Sequence, residues 1–228
     1  MSIKIFSGDI KITETSGKVS SYEKFIITFN PDGTKILKTI SISPNGDLLR
    51  DVNQYFSNDW KDIEGMARLF YKKKYLGTIF RRIVNRRLHS TIWKTDGTID
   101  KASFDAPENM HLGFHPVTHD SWKMNFLKTS HNNKQDIFVH TISSTWNGST
   151  LTHGQKLYSS ATFEGKETVK LSFGNCDCEK FLWRTPSDKL LAIWRTGEAR
   201  VLAKMEVLIG RNKGAIYELE KYNTEHII

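Results

Sequence analysis

Apolar and polar positions alternate along this chain in short runs broken by turn residues. A two-residue period of this kind predicts β-strands. Residues 23–30 are rich in aromatic and β-branched side chains. Pro31-Asp32-Gly33-Thr34 follows as a turn in which Pro presets φ and Gly accepts the positive φ. Residues 35–43 alternate, with Ile36, Lys38, Ile40 and Ile42 on one face. Asn45-Gly46 is the pair that a tight hairpin prefers, and residues 48–56 read as the return strand.

The second half repeats the style. Strands are expected at 136–144, 155–163, 167–173, 178–184, 189–195, 199–209 and 215–221. Turns are expected at Asn147-Gly148, Glu164-Gly165, Gly174-Asn175 and Thr185-Pro186-Ser187-Asp188. Turn signals this dense favour an antiparallel barrel or sandwich, and with no linker in sight residues 1–228 read as one domain.

One segment is ambiguous. Leu76, Ile79, Phe80, Ile83, Val84, Leu88 and Ile92 are spaced as on a basic amphipathic helix. Thr78, Ile79, Ile83, Val84, Thr91 and Ile92 are β-branched, and this favours strands over 76–92 with a bend near Asn85. Residues 71–77 read as a turn before it.

Composition narrows the class. At 38% apolar and 25% charged residues the chain is globular, not disordered. No leader-length apolar run follows Met1, and no window approaches the roughly 20 apolar residues that span a bilayer. Cys176 and Cys178 are one residue apart, too close for an unstrained bridge. They are expected to be reduced thiols in a cytoplasmic protein.

The net charge of +8 is local. Lys72, Lys73, Lys74, Arg81, Arg82, Arg86, Arg87 and Lys94 account for all of it, with no acidic residue among them. Such a patch is a solvated face, a guard on an edge strand, or an attractor of an anionic partner. Nucleic acid is not expected as a partner.

The histidines carry the candidate chemistry. Six of the eight fall between His111 and His153. His111, His115 and His119 are four apart and would line one face of a helix as a metal triad does, but Pro116 disfavours helical backbone at His115. In a loop they still have the means to converge, with His140 and His153 as further ligands. A metal-free and cofactor-free site is the stronger expectation. Imidazole is the natural proton carrier near neutral pH, so His115, His119, Asp120 and His140 are the candidate acid/base residues. Trp93, Phe114, Trp122, Trp146, Trp183 and Trp194 are candidates to wall a ligand site. No Walker loop, strand-linked GxGxxG, GxSxG elbow or HExxH occurs in the sequence. Nucleotide hydrolysis, dinucleotide hydride transfer and triad acyl transfer are therefore disfavoured.

The run from Glu167 through Cys178-Glu179-Lys180-Phe181, with Leu190 to Trp194, Val201 to Met205 and Tyr217-Glu218-Leu219, resembles the tail of bacterial lipocalin-like proteins of unknown function. Gly174-Asn175-Cys176-Asp177 stands where that pattern has a turn of small residues. The resemblance implies a closed or nearly closed antiparallel barrel of about ten strands around a cavity. The expected function is then a cofactor-independent isomerase, lyase or cyclase acting on an apolar or aromatic small molecule. The alternatives are a non-catalytic carrier of such a molecule, or an interaction protein using the basic patch at 72–94. Homo-oligomerisation is left open.

Overall fold

The computed structural model describes residues 2–129, 133–143 and 150–227. Trp146 and the Asn147-Gly148 turn lie outside the described residues. The elements are β1 (Ile3–Thr13), β2 (Val19–Phe29), β3 (Lys35–Ile42), β4 (Leu48–Phe56), β5 (Asp62–Tyr71), β6 (Lys74–Val84), β7 (Arg87–Lys94), β8 (Ile99–Asp105), β9 (His111–Gly113), α1 (Val117–Trp122), β10 (Gln135–Thr141), β11 (Gln155–Leu171), β12 (Gly174–Arg184), β13 (Leu190–Thr196), β14 (Val201–Ile209) and β15 (Ile216–Ile227).

The strands form one sheet in the order β8-β7-β6-β5-β4-β3-β2-β1-β15-β14-β13-β12-β11-β10-β9. It consists of two meanders, joined where β1 pairs with β15 from Ile3↔Ile227 to Thr13↔Ile216. Neighbours are antiparallel except β9 and β10, which run parallel. The all-β antiparallel class agrees with the sequence reading, but strand count and closure differ from it. Among the described residues the sheet has fifteen strands, not about ten, and its edges β8 and β9 are not paired with each other.

Two of the extra strands come from hairpins with no glycine at the turn. Lys72 and Lys73, with φ of 48° and 67°, turn β5 directly into β6, so residues 71–77 are mostly strand. Asn85 and Arg86, with φ of 48° and 59°, turn β6 into β7. Two consecutive positive-φ residues match the right-handed twist of a hairpin, although side chains other than Gly adopt them at some cost. The segment 76–92 is thus a hairpin, and its bend is a reversal. Glu164-Gly165 is not a turn: β11 runs straight through it with a bulge between Phe163 and Gly165.

The inner face of the sheet is unexpectedly polar. In β3, Lys35, Leu37, Thr39 and Ser41 are buried, and Ile36, Lys38, Ile40 and Ile42 face outward. The Lys35 ammonium is satisfied by the carbonyls of Gly33 (2.6 Å) and Asn58 (2.8 Å) and lies over the Trp60 ring at 4.5 Å.

Two apolar clusters fill the interior. One joins β1–β4 to α1 and β10–β15 and includes Phe25, Ile27, Phe56, Trp122, Phe181 and Leu202. The other packs Leu112, Phe114 and Ile142 against Val52, Ala67, Ile79, Leu88 and Ile92 of the first meander. The end of the second meander therefore lies in the curve of the first. Arg81 of β6 joins them. Fully buried, its guanidinium donates to the carbonyls of His140 (2.7 Å), Thr141 (3.0 Å) and His153. Burial pushes its pKa down to about 9, so it stays charged at neutral pH.

Arg81 thereby leaves the basic patch of the sequence. Arg82 pairs with Glu64, Arg87 with Asp105 and Lys73 with Asp47. Lys72–Lys74 and Arg86–Arg87 sit at opposite ends of β6, roughly 33 Å apart at the usual strand rise. Arg81→Met is expected to lower unfolding free energy by about 3–5 kcal/mol, because it strands buried carbonyls. Arg81→Lys should fall between, since one ammonium cannot span the same fork. Urea titration of the variants checks this, and a loss below 1 kcal/mol in Arg81→Met would remove Arg81 from that role.

Candidate functional site

The histidine-rich segment enters the interior after β8. Pro116 forbids helical backbone at His115. His115 takes φ of 67°, a strained left-handed conformation for a non-glycine residue. The chain then turns at once into α1, with Pro116 in the N-cap position. The amides of this helix start are held from outside. Buried Glu23 of β2 accepts from Val117 N (2.9 Å), Thr118 N (2.8 Å) and Thr118 Oγ1 (2.7 Å). Burial pushes the Glu23 carboxyl up, while these bonds and nearby Arg50 pull it down. Ser41 ties Arg50 into the group, accepting from Arg50 Nε at 3.1 Å.

A cavity of about 620 Å³ opens between the meanders. Its apolar wall includes Ile12, Val139, Leu157, Trp183, Leu191 and Val207. Arg50, His115, Asp120, Lys123 and Thr141 contribute polar groups. His115 Nε2 lies 2.8 Å from Thr141 Oγ1. Asp120 pairs with Lys123, whose ammonium lies over the Trp183 ring at 4.9 Å. Trp183 Nε1 is buried without a hydrogen-bond partner.

The expected site residues separate. His115, Asp120 and Trp183 line the cavity. His119 points away from it, to Asp62 and Gln54. The His140 ring packs on Phe104 at 4.6 Å. Phe114 lies flat against Gly65, where a Cβ would meet its ring at 2.5 Å. Trp122 is buried among Phe56 and Trp60 and donates to Ala199 O at 2.9 Å. Trp194 bonds Glu167 under Lys180 and Lys204, and Trp93 is exposed on the outer face of β7. Four of these six aromatics therefore do not wall the cavity: strand alternation or core packing turns them elsewhere.

A second cluster lies behind the cavity. Asp62 Oδ2 is 2.9 Å from His111 Nδ1, and Asp62 Oδ1 is 3.4 Å from His119 Nε2. All three side chains are buried. Burial alone would raise the Asp62 carboxyl, but His119 and His111 outweigh it and hold it below the ordinary carboxylate range. Sequence reading missed Asp62, Gln54, Arg50, Glu23 and Lys123. Asp62 is 49 residues from its His111 partner, and no local pattern marks the pairing. Cys176 and Cys178 are free thiols, and burial pushes Cys178 up to about 12, far from a nucleophile's range.

This architecture has counterparts among solved structures. A β-barrel-like protein of the domain of unknown function DUF1849 from Brucella abortus superposes with a TM-score of 0.57 at 8% identity, covering 98% of each chain. A DUF1089-family protein from Pseudomonas aeruginosa gives a TM-score of 0.50 at 13% identity, over 81% of this chain and 88% of that one. The likeness is one of fold. No family model and no curated protein matches the sequence. Among the described residues no helix is long and apolar enough to cross a membrane.

Burial, then Arg50, Lys123 and Arg81, hold His115 well below 6.5. Burial lowers His111 despite Asp62, and burial followed by Arg81 takes His140 down to about 4. Unfolding releases these rings to protonate near 6.5, so the unfolded state binds more protons below that pH. Stability should be full above about pH 6.5 and fall as pH drops toward 4. Urea unfolding across this window is expected to show the slope, and His140→Asn to flatten it by up to one proton. An unchanged slope in that variant would show that His140 titrates alike in both states.

Proposed function

We propose that the chain binds and carries, without transforming it, an amphipathic small molecule with an apolar body and an anionic group, a carboxylate or a phosphate. The observation that carries this reading is the divided lining of the cavity. An apolar wall of Ile12, Val139, Leu157, Leu191 and Val207 adjoins two cations, Arg50 and Lys123, and the unpaired donor Trp183 Nε1. A volume of about 620 Å³ suits a drug-sized or lipid-like molecule. His115 is held neutral, so the positive charge at the cavity comes from Arg50, which stands near Glu23, and from Lys123, whose pairing with Asp120 an anionic group would have to share. In this reading the chain is similar to lipocalin-like proteins in how it encloses a ligand between strands, not in strand number.

Catalysis by proton transfer fits less well. A general acid/base pair has to sit within hydrogen-bond reach of the same substrate atoms. Here the partner of His115 is the Thr141 hydroxyl, and that of Asp120 is the Lys123 ammonium. His119 and His140 lie off the cavity.

A brominated long-chain fatty acid should quench Trp183 fluorescence saturably, with one molecule per chain. Trp183→Phe identifies the reporter. The matching alcohol should bind roughly 10–100-fold more weakly, the worth of one charge-assisted hydrogen bond. Leu157→Trp, which fills the cavity, should abolish binding while the protein stays folded. Absence of saturable quenching, or equal binding by alcohol and acid, would overturn the reading.

A further inference from the structure

The cluster behind the cavity has the composition of a metal centre. We propose that Asp62, His111 and His119 hold a divalent transition-metal ion, with Zn(II) as the natural occupant, in a buried site separate from the cavity.

Geometry carries the case. The three donor atoms lie within 4.8 Å of one another. They come from three elements: Asp62 opens β5, His111 opens β9 and His119 lies in α1. Two donors about 2.0–2.1 Å from a common ion at the tetrahedral angle are themselves roughly 3.3–3.4 Å apart. His119 Nε2 and Asp62 Oδ1 are 3.4 Å apart. They do not share a proton in hydrogen-bond geometry, since His119 Nε2 is buried without a hydrogen-bond partner. His111 Nδ1 lies 2.9 Å from the other carboxylate oxygen, Asp62 Oδ2, so the two imidazoles stand at the two oxygens of one carboxylate.

The surroundings fit as well. A metal-bound imidazole ordinarily gives its other ring N–H to an acceptor that fixes the tautomer. The Gln54 amide stands beside His119 Nδ1, with Nε2 at 3.5 Å. Its Oε1 is buried without a partner. The same Gln54 Nε2 donates to Leu112 O at 3.1 Å and to Asp62 Oδ1 at 3.3 Å, so this amide orients the carboxylate ligand. Phe126 and Phe56 cover the two imidazoles at ring distances of 5.3 and 5.4 Å, giving the site an apolar cover. Two imidazoles with one carboxylate select zinc-like ions over magnesium or calcium, which prefer all-oxygen shells. Water would supply the fourth position.

The test uses the full chain made without a polyhistidine tag. It is unfolded in guanidinium with a chelator, then refolded with one equivalent of Zn(II) or Co(II). The expected result is one tightly held ion per chain by elemental mass spectrometry. Visible d–d bands for Co(II) and a melting temperature that falls when the metal is withheld should accompany it. Asp62→Asn, nearly isosteric, should weaken binding more than roughly a hundredfold, and His119→Ala should abolish the cobalt bands. His115→Asn, a histidine outside the cluster, should leave them unchanged. Wild-type chain that refolds with no stoichiometric metal, no cobalt bands and an unchanged melting temperature would overturn the proposal. Undiminished binding in Asp62→Asn would do the same.

Discussion

A buried guanidinium joins the two halves of this molecule where the backbone ladder does not. Among the described residues the sheet does not close on itself, and its edges β8 and β9 are not paired with each other. Arg81 bridges from the first meander to three carbonyls of the second. Arginine suits the task because its planar fork reaches several acceptors at once and it keeps its charge in a desolvated place. The cavity wall at Thr141 and the position of His140 both follow from that contact. Removing a charge of this kind leaves stranded acceptors, a harsher loss than never having built the interaction.

The segment from β9 through α1 serves two sites with its two sides. One turn of chain carries His115 to the cavity, and the next carries His119 away from it. The reversal depends on Pro116, on the left-handed His115 and on Glu23 from a distant strand. A six-residue helix is too short to be stable by its own hydrogen bonds. A buried carboxylate at its start replaces the capping side chain that the local sequence lacks. The cavity and the proposed metal centre thus meet at one short element, although their residues do not overlap.

Much of the fold was legible where chemistry is local. Pro31-Asp32-Gly33 and Asn45-Gly46 marked real reversals, because proline and glycine constrain φ wherever they stand. Lys72-Lys73 and Asn85-Arg86 gave no such mark, and the hairpins they make were read as a turn and a bend. The alternation of residues 35–43 was visible, but its Ile face is the outer one. Lys35 and Ser41 point inward where the interior offers carbonyls, Arg50 and Glu23 as partners. The site was legible only in part. His115, Asp120 and Trp183 lie where a cavity needs them. His119 meets Asp62, a pairing between residues far apart in the chain that no single sequence displays.

The union of β1 with β15 has a consequence for how the molecule is assembled. Each meander is built from neighbours in sequence, so its contacts close short loops and can appear early. The seam between the meanders closes a loop nearly as long as the chain, which is entropically the dearest contact to make. During synthesis the first eight strands emerge long before β15 exists. The strand edge of β1 stays bare for that interval, open to mispairing, and the late docking of the last strand is the natural rate-limiting event of folding.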